Sequence, residues 1–246
     1  MAHLLDVDLT LGEECARARL SDLRSAFAAE GLNIVLPLAA AAFDQACATS
    51  ARADGQRRNS PAGDLVLVGD GGPTFFARFE AASANGETAH PLDDFTRTCV
   101  GRIVTSVLGG SGIPSQLFFP FSTPGEAPLP FQRLGRAAGL PEPGPLGLQV
   151  HPVFGPWWAY RALIATPLIF PREPALPASC GPCARPCLAG CAAHASSSSS
   201  ANGSGCGDAC GARARCPVGV EHRYPDAQLA FHALARERMM ATLAAR

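Results

Sequence analysis

GLQVHPVFGPWWAYRALIA, residues 147–165, sets an aromatic turn between two apolar runs, and the fold is decided on how this stretch is read. Leu146 to Val150 and Ala159 to Ile169 have the composition of strands, while His151-Pro-Val-Phe-Gly-Pro-Trp-Trp158 between them carries the prolines and glycine that turn a chain. Upstream, Gln116 to Phe121 reads as a strand, followed by a short helix over Phe131 to Ala138. Leu92, Phe95, Cys99, Ile103 and Val107 recur at helical spacing before Gly109 and Gly110. Leu65 to Val68 is a short apolar strand, then Gly69-Asp70-Gly71-Gly72-Pro73, then a helix from Thr74.

Nearer the N-terminus, Thr10 and Glu13 form a capping-box pattern that opens a helix with Ala16, Leu20, Leu23 and Phe27 on its apolar face and Gly31 at its end. A strand over Asn33 to Leu38 follows, and residues 49–64 read as an exposed loop. At the other end, Pro225 and Asp226 open a final helix through Met239. Helices and strands mixed without a strict βα repeat specify the α+β class. The glycines after Val68 invite a phosphate-binding reading, but Thr74 stands where the third glycine of the dinucleotide fingerprint belongs. A tight βα turn with Pro73 at the helix start is the expectation.

Composition narrows the function. All 20 basic residues are arginine, so neither a Schiff-base lysine nor a phosphate-loop lysine exists in this sequence. Pyridoxal-phosphate and P-loop chemistry are thereby excluded. A net charge of −1 with 17% charged residues gives no footprint for nucleic acid or an anionic membrane. No apolar run is long enough to span a bilayer, and MAHLLDVDLTLGEE lacks the features of a signal or transit peptide. A cytoplasmic location is expected, where thiols stay reduced unless a metal takes them.

Seven of the 10 cysteines fall between residues 180 and 216. Cys180, Cys183, Cys187 and Cys191 are spaced C-x2-C-x3-C-x3-C; Cys206, Cys210 and Cys216 follow a serine tract, and Pro217 comes directly after Cys216. In bacterial ferredoxin runs the cysteine before proline ligates the cluster opposite to that of its close neighbours. By that logic Cys180, Cys183 and Cys187 share a 4Fe–4S cluster with Cys216. Cys191, Cys206 and Cys210 are left as ligands for a second cluster, with His194 available as a substitute. Zinc held by four thiolates and disulfides are the competing readings. Cys15, Cys47 and Cys99, outside this segment, read as small buried hydrophobes. Three units result: residues 1–175, the cysteine-rich segment 176–221 with its serine insert, and a C-terminal helix over 222–246.

The 147–165 stretch resembles the cobalamin-processing type C family, the cyanocobalamin-decyanating enzymes. DLVLVGDGGPTFFARF and HPLDDFTRTCVGRI upstream look like that family's strand, GPT turn and following helix. GRAAGL, GPLGLQVHPVFGPWWAYRALI and CGPCARPC are similar in order to the epoxyqueuosine reductase family, which places a cobalamin domain before a ferredoxin-like pair of clusters. The resemblance implies a nitroreductase-like α+β domain followed by a small ferredoxin-like segment. It implies a cofactor pocket that includes His151, Gly155, Trp157, Trp158 and Arg161. Pro156 departs from a glycine of the decyanase motif, and the proton-transferring acid of epoxyqueuosine reductase has no counterpart that can be placed.

These readings converge on an oxidoreductase in which a 4Fe–4S cluster passes electrons, received from a separate donor, to a bound corrinoid. The alternative is non-enzymatic: a ferredoxin-like carrier, or a cobalamin-binding and trafficking protein. FMN chemistry is a third expectation permitted by the fold, and a zinc-stabilised interaction module a fourth.

Overall fold

The computed structural model describes residues 2–48, 63–82, 90–121, 129–189 and 209–244. Four strands, β1 (Ile34–Leu38), β2 (Leu65–Gly71), β3 (Gln116–Phe118) and β4 (Trp158–Ala165), form one sheet in the order β1-β2-β4-β3. Every neighbouring pair is antiparallel. The two central strands are where the sequence is most continuously apolar, and all seven residues of β2 are buried.

Side-chain alternation sends the two faces of the sheet to different partners. Val66, Val68, Ala162 and Ile164 face α1 (Ala2–Ala29), α3 (Thr74–Ala82) and α4 (Pro91–Val107), packing with Leu23, Phe27, Phe75, Val100 and Ile103. Leu65, Leu67, Leu163 and Trp158 face α2 (Ala40–Ala48) and α5 (Phe131–Ala137) through Phe43, Phe131 and Leu134. The fold is therefore mixed α and β, with helices covering both faces of an antiparallel sheet.

One irregularity sets up the site. Val68 pairs with Ala162, but the next residue, Gly69, pairs with Tyr160, so Arg161 is the extra residue of a β-bulge in β4. The bulge turns Arg161 to the face that carries Asp70, with its guanidinium 5.3 Å from the centre of the Phe75 ring.

Several boundaries differ from the sequence expectation. The first helix starts at Ala2, which places Thr10 inside it. Its end is as read: Gly31 has φ +85°. The strand β2 runs on through Gly69, Asp70 and Gly71, leaving only Gly72 and Pro73 as the turn. Asn33 makes the extension possible, since its side chain both accepts from the Gly71 amide at 2.7 Å and donates to the Gly71 carbonyl at 2.9 Å. Leu146 to Val150 is not a strand; it carries one isolated bridge, Pro143 to Gln149, around a turn with Gly147 at φ +71°. β3 stops at Phe118 and β4 at Ala165, before the Thr166-Pro167 step.

Cys99 is buried as expected and Cys47, half-buried on α2, packs against the core, but Cys15 is exposed and is no core residue. Most of the proposed 49–64 loop and the serine tract lie outside the described residues, as do Cys191, Cys206 and His194.

After β4 the chain follows the surface as a strap. Asp64, 3% exposed at its side chain, accepts from the Phe170 amide at 2.8 Å and from Arg172 at 2.9 Å, and Leu176 donates to the Gly139 carbonyl at 2.7 Å. A short helix, α6 (Ala209–Ala214), and the final helix, α7 (Asp226–Ala244), complete the described chain. On α7, Phe231 packs its edge on Phe76 and Phe79 at ring distances of 5.4 and 5.3 Å, which docks the helix on α3. No helix among the described residues is long and apolar enough to cross a membrane.

Candidate functional site

The cysteine segment is laid against the aromatic turn. His151 and Gly155 exchange both backbone hydrogen bonds at 2.8 Å, closing a tight loop with Phe154 at its tip. Gly155 adopts φ +60°, and a methyl group there would sit 1.9 Å from the Val218 carbonyl oxygen. Gly219, at φ +68°, meets Phe154 from the other side. Backbone therefore packs directly on backbone where the 216–222 loop crosses the turn.

That crossing brings four of the predicted ligands together. Cys180, Cys183, Cys187 and Cys216 line one cavity together with Val150 and Pro156 from the aromatic-turn segment. Cys187 and Cys216 are buried, Cys180 and Cys183 half-buried. Burial pushes the Cys180 thiol above its ordinary pKa, and the neighbouring Cys216, Cys183 and Cys187 push it the same way. Cys216 is raised too, again by burial first, while the Val218 backbone amide works against the rise.

Arg185 adds a device of its own. It is the one non-glycine residue with positive φ, +57°, among the described residues, and this conformation aims its amide at the Cys183 sulfur, 3.3 Å away. Amide donors to cysteine sulfur tune iron–sulfur centres. The segment is held in place by two further arginines: Arg213 donates to the Pro156 carbonyl, and Arg215 donates to the Ala189 carbonyl at 2.6 Å.

Among the described residues, no three His, Cys, Asp or Glu side chains are grouped to hold a single metal ion. A tetrahedral zinc site, with Zn–S bonds of about 2.3 Å, needs its sulfurs drawn to within roughly 4 Å of each other. Cys210 lies on α6, with Cys191 and Cys206 outside the described residues. The described cysteines are free thiols.

The five residues expected in a cofactor pocket are all buried, but none of them lines this cavity. Arg161 is 8% exposed and clamps Asp70, itself at 0%, through Nε to Oδ1 at 2.5 Å and Nη2 to Oδ2 at 3.3 Å. A guanidinium can clamp a phosphate or carboxylate with two donors, and here the chain itself supplies the carboxylate. His151 uses Nδ1 to accept from the amides of Val153 at 3.1 Å and Phe154 at 3.3 Å, which leaves the proton on Nε2. Burial, with His222 nearby, lowers its pKa to about 4.

Trp157 and Trp158 point to opposite sides, as neighbours in an extended segment must. Trp158 donates from its indole to the Gln149 carbonyl at 2.8 Å and lies 4.6 Å from the Tyr160 ring. Trp157 instead meets Tyr224 edge-on at 5.5 Å, with the Arg213 guanidinium 4.9 Å from its ring. Tyr224 and His232 were not marked as site residues by the sequence, and Asp70 was read only as part of the turn after Val68. Asp70 had left a signal, a lone acid inside a β-branched, glycine-rich run facing a lone arginine in another apolar run.

No family model matches the chain, and no curated protein matches it. Among solved structures it is similar to the C. elegans B12-trafficking protein CblC, a homologue of human MMACHC, at 15% identity and a TM-score of 0.49, over 67% of this chain and 76% of that one. It is also similar to epoxyqueuosine reductase from Streptococcus thermophilus at 12% identity and a TM-score of 0.43, over 69% of this chain and 51% of the reductase.

Proposed function

We propose that the chain is an iron–sulfur oxidoreductase that delivers electrons from a 4Fe–4S cluster held by Cys180, Cys183, Cys187 and Cys216 to a bound corrinoid. The observation that carries this reading is the single cavity lined by those four thiols and walled by Val150 and Pro156. When bound, the cluster supplies electrons one at a time at a potential set by burial and by hydrogen bonds to sulfur. The chain's own residues do the rest. Val150 and Pro156 give the thiols an apolar wall, Arg185 donates its amide to the Cys183 sulfur, and Arg213 ties α6 to the aromatic turn. The corrinoid half of the proposal is supported by the HPVFGPWWAYR turn and its resemblance to cobalamin-processing enzymes.

A second reading, a ferredoxin-like electron carrier, is favoured by one specific contact: Arg161 is already satisfied by Asp70 and presents no free fork to a ligand. The test is anaerobic reconstitution with iron and sulfide, followed by titration with hydroxocobalamin under reducing conditions. A cluster absorption band plus a saturable spectral change of the cobalamin supports the corrinoid reductase. A cluster band with no response to cobalamin supports the carrier, and stoichiometric zinc with no band overturns both.

A further inference from the structure

We propose that Arg213 is a positioning residue that couples the thiol cavity to the docking of α7, so that occupancy of the thiols and attachment of the C-terminal helix form one linked equilibrium. This concerns the regulation of the site described above, and it rests on the electron-transfer reading only for what occupies the thiols.

Arg213 stands where three parts of the chain meet. Its backbone carbonyl accepts from the Cys216 amide at 3.0 Å, which joins it to the last of the four cavity thiols. Its side chain donates to the carbonyl of Pro156, a residue of the cavity wall, and its guanidinium lies 4.9 Å from the centre of the Trp157 ring. The same guanidinium is 5.2 Å from the centre of the Tyr224 ring, just before α7 begins at Asp226. None of the ion pairs among the described residues includes Arg213, so its cation is given to the two rings. Arg223 ties the same junction a second time by donating to the carbonyl of Ala214, the last residue of α6.

From Tyr224 the contacts continue into α7. Tyr224 is buried, and its ring is 5.8 Å from that of His232, while the neighbouring Phe231 packs on Phe76 and Phe79 of α3. Only Pro217 to Pro225 separate Cys216 from the helix, and Gly219 among them is wedged against Phe154. Coupling between two sites needs an element with two states that both sites bias. Here that element is α7, docked or lifted. Docked, it holds the Tyr224 ring against Arg213; lifted, it leaves Arg213 and the Cys216 segment to the aromatic turn alone. Whatever binds all four thiols therefore favours the docked helix, and by reciprocity the docked helix favours binding. An empty site lifts α7 more often and uncovers Phe76 and Phe79.

The test uses the full chain, purified anaerobically without iron. Iodoacetamide labels the buried Cys216 at a rate that reports how often its segment opens, with exposed Cys15 and buried Cys99 as internal references. Phe231→Ala, a change on α7 alone, should speed Cys216 labelling about tenfold, the loss of one cation–ring contact, and leave Cys15 and Cys99 as they were. Arg213→Met should speed Cys216 labelling and amide exchange of residues 228–235 in α7 together, and Arg213→Lys, which keeps the cation, should restore much of both. A role confined to holding α6 would move the labelling and not the exchange. Reconstitution with iron and sulfide should slow that exchange in the unsubstituted chain and not in Arg213→Met. Unchanged Cys216 labelling in Phe231→Ala, equal acceleration at Cys99, unchanged α7 exchange in Arg213→Met, or an equal slowing by iron in that variant overturns the proposal. If no cluster band forms, the electron-transfer reading fails, while labelling and exchange still decide the coupling.

Discussion

Gly155 and Gly219 interlock. A methyl on the first would lie 1.9 Å from the Val218 carbonyl oxygen, and one on the second 2.3 Å from the Phe154 carbonyl carbon. Both residues have positive φ, so a side chain is penalised by conformation as well as by space. Gly155→Ala should therefore lower stability by roughly 2–3 kcal/mol and loosen the segment that carries Cys216. Reconstituted iron content should fall along with Tm; a normal iron content at reduced Tm would show that the crossing serves the fold alone.

Each of Cys180→Ser, Cys183→Ser, Cys187→Ser and Cys216→Ser should lose the cluster band and most bound iron, because these four line the cavity. Cys15→Ser, which alters an exposed residue on α1, should leave both unchanged. Iron and sulfide analysis of the five variants after anaerobic reconstitution checks the set. Retention of iron in Cys216→Ser would point to a ligand set confined to the first three cysteines and a residue outside this cavity.

Breaking the Asp70–Arg161 pair from one side should be severe. Both side chains are shielded from solvent, so Asp70→Asn or Arg161→Met alone strands a charge and should cost about 3–5 kcal/mol. The double replacement Asp70→Asn with Arg161→Met should recover much of that loss in chemical denaturation. An additive double mutant would mean that the two groups do not act as a pair.

His151 titrates at about 4 in the folded protein, against 6.5 for an ordinary histidine, chiefly because it is buried. Between those values the unfolded chain binds more protons than the folded one, so stability rises with pH across this window and is lost as pH falls through it. The stabilisation is fully present above pH 6.5 and should shrink by on the order of 2 kcal/mol on reaching pH 4. His232, also lowered to about 4 by burial and by Arg161, contributes in the same direction. His151→Asn keeps an acceptor for the Val153 and Phe154 amides and should flatten, without abolishing, the dependence of Tm on pH between 4 and 6.5.

Local pattern carried the sequence reading where one residue's neighbours decide its state. The apolar stripe of α4, the glycine that ends α1 and the strand at β4 were all legible for that reason. The reading failed where a distant partner decides. Gly69, Asp70 and Gly71 look like a turn until Asn33 hydrogen-bonds Gly71 and β4 pairs along them. Arg161 looked like a clamp for a ligand because nothing in its own stretch announces Asp70, 91 residues away. Leu146 to Val150 has strand composition, yet Gly144, Pro145 and Gly147 bend it and no partner strand is left for it. The cysteine spacing, by contrast, named the four thiols that line the cavity, since ligand spacing in a short segment is a local property.

The strand order has a consequence for biosynthesis. β2 ends at Gly71 but its central partner β4 begins only at Trp158, and β1 and β3 are edge strands that hang on this pair. A nascent chain emerging at about 5–20 residues per second leaves the apolar β2 without its mate for several seconds. Pairings so distant in sequence close slowly. Helices α3 and α4 are synthesised in that interval and can shelter one face of the waiting strand. The cysteine-rich segment leaves the ribosome only after β4, so its thiols meet a sheet whose four strands have already been made, and whatever they take up is delivered to a largely synthesised domain rather than to an open chain.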